Sequence, residues 1–186
     1  MNPWKTLSTK TVYDNPWIRV EDHRVINPAG NPGQYGKVCF KNRAVAIVAL
    51  DEQRNVHLVG QFRYTLDRYS WELPKGGATA DEDSLAAAQR ELREETGLTA
   101  ARWRRLLELD ISNSVTDELG TVFVAEDLER GERSPEETEE LTSKVLPFEE
   151  ALEWVRSGQI LDAISVAGLL RLAADELGAR PRNSAR

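Results

Sequence analysis

Three glutamates, Glu91, Glu94 and Glu95, stand three and four residues apart in the run Arg90-Glu91-Leu92-Arg93-Glu94-Glu95. On an α-helix both spacings bring the carboxylates to one face. Carboxylates crowded in this way repel one another unless a cation sits among them. A hard divalent ion such as Mg²⁺ prefers oxygen ligands, keeps several waters and completes its shell with substrate phosphate oxygens. The chemistry served by such an ion is attack on a phosphoryl group, with a bound water of lowered pKa and neutralised charge on the leaving phosphate. Arg90 lies four residues before Glu94 and is placed to pair with it and fix its rotamer. As six residues alone, the pattern also describes an ordinary solvated helix face, where Glu and Arg often mix.

The elements that must position these acids can be read around them. Asp81 or Asp83 is a candidate N-cap for the helix, and Gly97 is a candidate left-handed residue closing it. Leu92 and Leu98 fall where the helix needs apolar contact with a sheet. Gly76 and Gly77 open the segment and allow a tight turn or a close backbone approach. Upstream, Ala44 to Leu50 is a nearly unbroken apolar run, expected as a buried strand. A turn at Asp51 to Asn55 leads into a second strand, Val56 to Arg63, and Trp71 to Pro74 reads as a short extended piece.

Two further strands are predicted near the N-terminus, around Trp17 to Glu21 and Tyr35 to Phe40, joined by a long connection over 27–33. Downstream, Trp103 to Ile111, Gly120 to Ala125 and Thr142 to Leu146 read as strands, with Glu126 to Leu141 as an acidic loop. Helices are expected over Pro147 to Arg156 and Ser165 to Leu177, the latter with Val166, Leu169, Leu170 and Ala173 on its apolar face. Strands around one central helix, followed by two terminal helices, predict an α+β chain built as an α/β/α sandwich with a mixed sheet. A small N-terminal β subdomain over 1–40, a main domain over 41–177 and a frayed tail over 178–186 complete the expected organisation.

The 186 residues suffice for one real core. A net charge of −7 argues against nucleic acid as the main partner, while metal-holding acids would add to that negative count. No apolar run approaches a membrane span, and the first ten residues lack the apolar core of a signal peptide. Cys39 is the only cysteine, so no disulfide framework is available. The expected location is the cytoplasm. His23 and His57 stand alone on predicted strands, where packing is expected rather than metal ligation. Cys39 is expected to pack as a small apolar residue.

The longer pattern around the glutamates resembles the Nudix box, G-x5-E-x7-R-E-U-x-E-E-x-G-U, with U a bulky aliphatic residue. Gly76, Glu82, Arg90, Glu91, Leu92, Glu94, Glu95, Gly97 and Leu98 fill every fixed position. The resemblance implies a hydrolase of nucleoside diphosphates linked to another moiety. Glu91, Glu94 and Glu95 would carry Mg²⁺, or Mn²⁺ in its place. Gly76, Glu82, Arg90 and Gly97 would mainly hold the loop–helix–loop in shape.

The flanks Asn15 to Val20, Gln61-Phe62-Arg63-Tyr64 and Trp71-Glu72-Leu73-Pro74 look like the ADP-ribose and nucleoside diphosphate sugar pyrophosphatase branch. That likeness implies a homodimer that the N-terminal strands help to form, with the two subunits sharing each active site. Trp17 either stacks on a nucleobase or fills the core or dimer interface, the second being favoured. Arg63 and Arg68 are candidate diphosphate ligands through the planar guanidinium fork, with surface ion pairing as the other reading. Glu72 is expected to hydrogen-bond substrate or, more in keeping with its place, brace the metal site. In this branch an acidic loop supplies a glutamate that activates the attacking water. Glu137 is the first candidate and Glu139 the second. ADP-ribose-specific members carry a proline about sixteen residues after the last box glycine, with no physical rule behind its position. Asn113 or Ser114 stands there. This departure leaves open other nucleotide sugars, such as a GDP- or ADP-linked hexose, and Asp117-Glu118 resembles the branch's acidic pair. The N-terminal strands argue against dinucleoside polyphosphates or damaged nucleoside triphosphates as substrates.

Overall fold

The computed structural model describes residues 1–131 and 141–179. Its centre is a four-stranded mixed sheet in the order β7-β4-β9-β8, formed by β4 (Arg43–Ala49), β7 (Lys75–Ala78), β8 (Leu98–Asp110) and β9 (Leu119–Arg130). β4 and β9 run parallel at its middle, while β7 and β8 flank them antiparallel. The apolar run of β4 is legible as two alternating faces. Val45, Ile47 and Ala49 pack with Ala87, Ala88 and Leu92 of α1 (Ser84–Thr96). Ala46 and Val48 turn the other way, into a larger cluster with Leu152 of α2 (Phe148–Arg156) and Leu169 and Leu172 of α3 (Ala163–Ala179). Helices on opposite faces of one sheet make the α/β/α sandwich.

A second sheet of three strands, β10-β5-β6, comprises β5 (Asn55–Arg63), β6 (Arg68–Glu72) and β10 (Thr142–Pro147). A 3-10 turn at Tyr64–Leu66 joins β5 to β6, with Asp67 left-handed at φ 50°. On this sheet Lys144 Nζ lies 5.1 and 5.0 Å from the ring centroids of Trp71 and Trp154, cation–π contacts that tie β10 to β6 and α2.

The third sheet is N-terminal, with β1 (Lys5–Asp14), β2 (Ile18–Ile26) and β3 (Pro32–Phe40) in an antiparallel meander. It reaches the main body through residues 114–117. Val38 N donates to Val115 O and Asp117 N to Val38 O, at 2.9 and 3.2 Å. Lys37 pairs with Asp117 at 2.7 Å, and Tyr35 Oη donates to Ser114 O at 2.6 Å.

Several boundaries differ from the sequence expectation. β1 was not anticipated: every residue along it is exposed, so no apolar alternation marks it. The connection over 27–33 is shorter than expected, because β3 already begins at Pro32. Trp17 lies in the turn before β2, where Asn15 Oδ1 accepts from Trp17 N and Ile18 N at 2.9 and 2.7 Å. Gly76 and Gly77 belong to strand β7 rather than to a tight turn. β8 starts directly after the box helix, and β9 runs on to Arg130, five residues into the expected loop. Of the expected face of α3, Leu169 is buried and Val166 and Ala173 pack against the core, while Leu170 is exposed; Ile164 and Leu172 complete the buried face. Among the described residues no helix is long and apolar enough to cross a membrane.

Candidate active site

The box helix α1 begins at Asp83, whose carboxylate accepts from Leu85 N at 2.9 Å and Ala86 N at 3.2 Å. It ends at Gly97, left-handed at φ 72°, whose amide returns to Arg93 O, the closure that glycine makes without a Cβ penalty. With Leu92 and Leu98 buried against the sheet, the helix presents its glutamates toward β7.

Glu91 lies against that strand. A Cβ built at Gly76 would stand 2.0 Å from Glu91 Cδ and 2.1 and 2.3 Å from its two oxygens. Position 76 therefore has to be glycine for the carboxylate to rest where it does. Glu91 Oε1 also accepts from Gly77 N at 3.2 Å. Arg90 is the hub of the helix's charges. Its Nη1 donates to Glu91 at 2.8 Å and to Glu94 at 3.0 Å, its Nε and Nη2 reach Glu82 at 3.2 Å each, and Nη2 also donates to Gly77 O at 3.0 Å. The anticipated Arg90–Glu94 pair is thus present within a wider set. The bond to Glu82, then those to Glu91 and Glu94, keep the guanidinium charged. Burial pushes the Glu91 carboxyl up, with Arg90 opposing and the charge of Glu94 adding to it.

Glu95 is 1 % exposed, and its Oε2 accepts from Lys75 N at 2.9 Å. The three box glutamates share a helix face without converging on one point: Glu91 and Glu94 hold Arg90, and Glu95 is turned to the β7 backbone. Among the described residues no three acidic, His or Cys side chains form a closed cation cage. As a donor set the three carboxylates are hard oxygen ligands of the kind suited to Mg²⁺ or Mn²⁺.

Next to this face runs a buried ionic chain. Arg63 grips Glu72 with two bonds, Nε to Oε1 at 3.0 Å and Nη2 to Oε2 at 2.5 Å. Lys75 Nζ lies 3.0 Å from Glu72 Oε2 and also holds Asp162. Asp162 accepts from Ser165 N at 3.1 Å and Ser165 Oγ at 2.6 Å, while Leu73 N donates to Ser165 Oγ at 2.9 Å. Glu72 is 2 % exposed. Burial alone would raise its carboxyl, but the Arg63 bond and the charges of Lys75 and Arg63 outweigh it and hold the group at about 2. Glu118 is close enough to feel Lys75 and Asp162, and burial pushes its carboxyl up.

The other candidates fall in different places. The fork of Arg63 is engaged by Glu72. Arg68 is exposed and sits opposite Arg63 in the β5–β6 register. Trp17 is 68 % exposed, which removes the core as its site. Glu137 and Glu139 lie outside the described residues. Asn113 and Ser114 line a cavity of about 260 Å³ with Trp4, His23, Tyr35 and Lys37. His23 bonds Glu21 at 2.9 Å, burial pushes the His57 imidazole down, and burial pushes the Cys39 thiol up. Lys75, Asp162 and Ser165 were not anticipated. Asp162 with Ser165 is a legible N-cap pattern for α3, but nothing local announces the partner of Asp162 in β7.

Residues 40–164 match the model of the NUDIX domain, and residues 4–38 match that of the nucleoside diphosphate sugar hydrolase N-terminal domain. An ADP-ribose pyrophosphatase of Mycobacterium tuberculosis is 36 % identical over 183 residues, covering 96 % of this chain and 88 % of that protein. A GDP-mannose pyrophosphatase of Salmonella typhimurium is 34 % identical over 145 residues, covering 73 % of this chain and 75 % of that protein. A solved structure titled as an ADP compounds hydrolase superposes with a TM-score of 0.85 at 23 % identity, covering 94 % of this chain and 95 % of that one, a likeness of fold. With the box complete and its helix seated on the central sheet, this chain belongs to the Nudix hydrolase family.

Proposed function

We propose that the chain is a divalent-metal-dependent pyrophosphohydrolase that splits a nucleoside diphosphate sugar into a nucleoside monophosphate and a sugar phosphate. The observation that carries the reading is the seating of Glu91 against Gly76, beside Glu94 and Glu95, in a glycine cradle that no other residue leaves open. The N-terminal match to nucleoside diphosphate sugar hydrolases supports the substrate class.

Glu91, Glu94 and Glu95 fit a hard divalent cation, Mg²⁺ with Mn²⁺ as substitute. When bound, it supplies a Lewis acid that polarises phosphoryl oxygens and lowers the pKa of a water. The chain's own residues do the rest. Arg90 sets the rotamers of Glu91 and Glu94 through one guanidinium nitrogen. The Lys75 amide holds Glu95. In the reaction a water oxygen bonds to phosphorus as the anhydride P–O bond breaks, and the bridging oxygen leaves with the electron pair. Glu137, or Glu139 after it, takes the proton of the attacking water. Arg68 is available to the diphosphate. Arg63 reaches it only by exchanging Glu72, so bracing is the role assigned to the Arg63–Glu72 pair. Trp17 belongs to a homodimer interface built from the exposed N-terminal strands, and the protein works in the cytoplasm.

ADP-ribose is the second substrate reading, favoured by the relative of that activity at 36 % identity. The position of Asn113 favours a hexose-linked nucleotide instead. Incubation with ADP-ribose, ADP-glucose, GDP-mannose and UDP-glucose in Mg²⁺ tests both. A monophosphate from at least one is expected, the fastest substrate separates the two readings, and no monophosphate from any would refute the assignment of nucleoside diphosphate sugars as substrate.

A further inference from the structure

The geometry points to Asp162 and Lys75 as a positioning pair for the carboxylate Glu95, an inference that rests on the metal-dependent reading above. Lys75 has two roles in one residue. Its amide donates to Glu95 Oε2 at 2.9 Å, and its ammonium is shared between Glu72 and Asp162. Asp162 also has two roles. It caps the 17-residue helix α3 through Ser165 N, and it closes on Lys75 from the far side. Ser165 Oγ adds a second tie by accepting from Leu73 N. The segment Glu72 to Lys75 is therefore fastened at alternate residues to the start of α3, and Glu95 hangs from the end of that segment.

These contacts lie away from solvent. Lys75 and Asp162 are 19 % and 16 % exposed, and Ser165 is fully buried. An ion pair so placed is costly to break by removing one partner, because the other charge is left without its counterpart. A side chain that holds a ligand's supporting group changes metal affinity without touching the metal. The backbone of Lys75 pairs with Ala46 of β4, and its side chain is held from a helix that contributes none of the box residues.

Asp162→Asn separates the two roles of this residue, since asparagine caps a helix as well as aspartate does. It keeps the bond to Ser165 N and loses the charge opposite Lys75. Lys75→Met removes the other member of the pair and keeps the chain length. The readout is Mn²⁺ binding to the full-length protein without substrate, followed by the EPR signal of free Mn²⁺, with melting temperatures alongside.

Each single variant is expected to weaken Mn²⁺ binding about tenfold, and the double variant to be no weaker than the worse single, as for residues acting as one unit. Either single variant alone decides the point should the other not fold. Wild-type affinity in a folded single variant, or losses that multiply in the double, would overturn the pairing. Failure of the wild-type chain to bind Mn²⁺ would overturn the functional reading and the pairing with it. Mn²⁺ binding without turnover of any nucleotide sugar would overturn only the substrate assignment and leave the pairing to be decided by the variants.

Discussion

Gly76→Ala probes the seating of Glu91 most directly. The new methyl would stand 2.0 Å from Glu91 Cδ, and ordinary contact begins at 3.4 Å, so the carboxylate must retreat by about 1.4 Å. It is the end of a flexible side chain and can do so without moving the backbone. The loss is the bond from Gly77 N and part of the pairing to Arg90, at about 1.5–3 kcal/mol for bonds to a charged group. Replacing glycine by alanine in extended backbone returns about 0.4–1 kcal/mol through the unfolded chain. A net cost of about 1–2 kcal/mol lowers the melting temperature by only a few degrees in a chain of this size. Catalysis is far less tolerant, because misplacement of a working group by about 1 Å costs about 10²-fold. The assay is kcat on the best nucleotide sugar, with melting curves and circular dichroism for the fold. Gly178→Ala serves as a control, since nothing lies within 4 Å of a Cβ there and the residue lies near the end of α3, far in sequence from the box. Near wild-type turnover in a folded Gly76→Ala protein would refute the claim that the chemistry needs Glu91 against β7.

Glu95→Gln keeps an oxygen for the Lys75 amide but loses the charge, and turnover should fall at least about 10²-fold with the fold retained; near-normal turnover would remove this face from the chemistry. Chelation with EDTA should abolish activity and added Mg²⁺ restore it; activity surviving exhaustive chelation would exclude a metal role for the box. Glu72 sits at about 2 in the folded chain against an ordinary 4.5, so its stabilisation is full above pH 4.5 and is lost as pH falls through about 2. Glu72→Gln should therefore cost about 3 kcal/mol at pH 7, and the deficit in urea unfolding should drop below about half by pH 3; an unchanged deficit would show that the carboxylate charge is not what stabilises. Trp17→Ala should leave thermal stability of the protomer within about 0.5 kcal/mol while lowering the mass seen in sedimentation, and an unaltered mass would take Trp17 out of the interface.

What could be read from the residues follows from where the constraint is local. Val45 to Ala49 announces a strand because both of its faces are covered, by α1 and by α3, and every residue must then be apolar. The box is legible because its charges work at helical spacings, and Asp83 and Gly97 mark its ends with cap chemistry. β1 is hidden for the opposite reason: it pairs along one edge and buries nothing, so Lys5 to Asp14 carries no period. β7 is hidden by its own function, since Gly76 and Gly77 look like a turn until Glu91 is seen against them. Lys75 and Asp162 are 87 residues apart, and only the folding of α3 across the central sheet brings them together. Leu170 misled because a run of apolar residues in α3 offers more than one plausible stripe.

The clasp between β3 and residues 114–117 sets the size of the piece that would have to move as one unit in a chimera. The stretch 112–118 contains Asn113 and Ser114, the positions at which the family resemblance leads one to expect a proline in ADP-ribose-specific members. Its shape is held by Tyr35, Lys37 and the backbone of Val38, and Asp117 Oδ1 is in turn anchored by Phe40 N at 2.9 Å. A graft of the loop alone would leave Lys37 and the Val38 amide facing the wrong groups. Loop and β3 form one cassette, so swaps between relatives should cut before Pro32 and exchange both together.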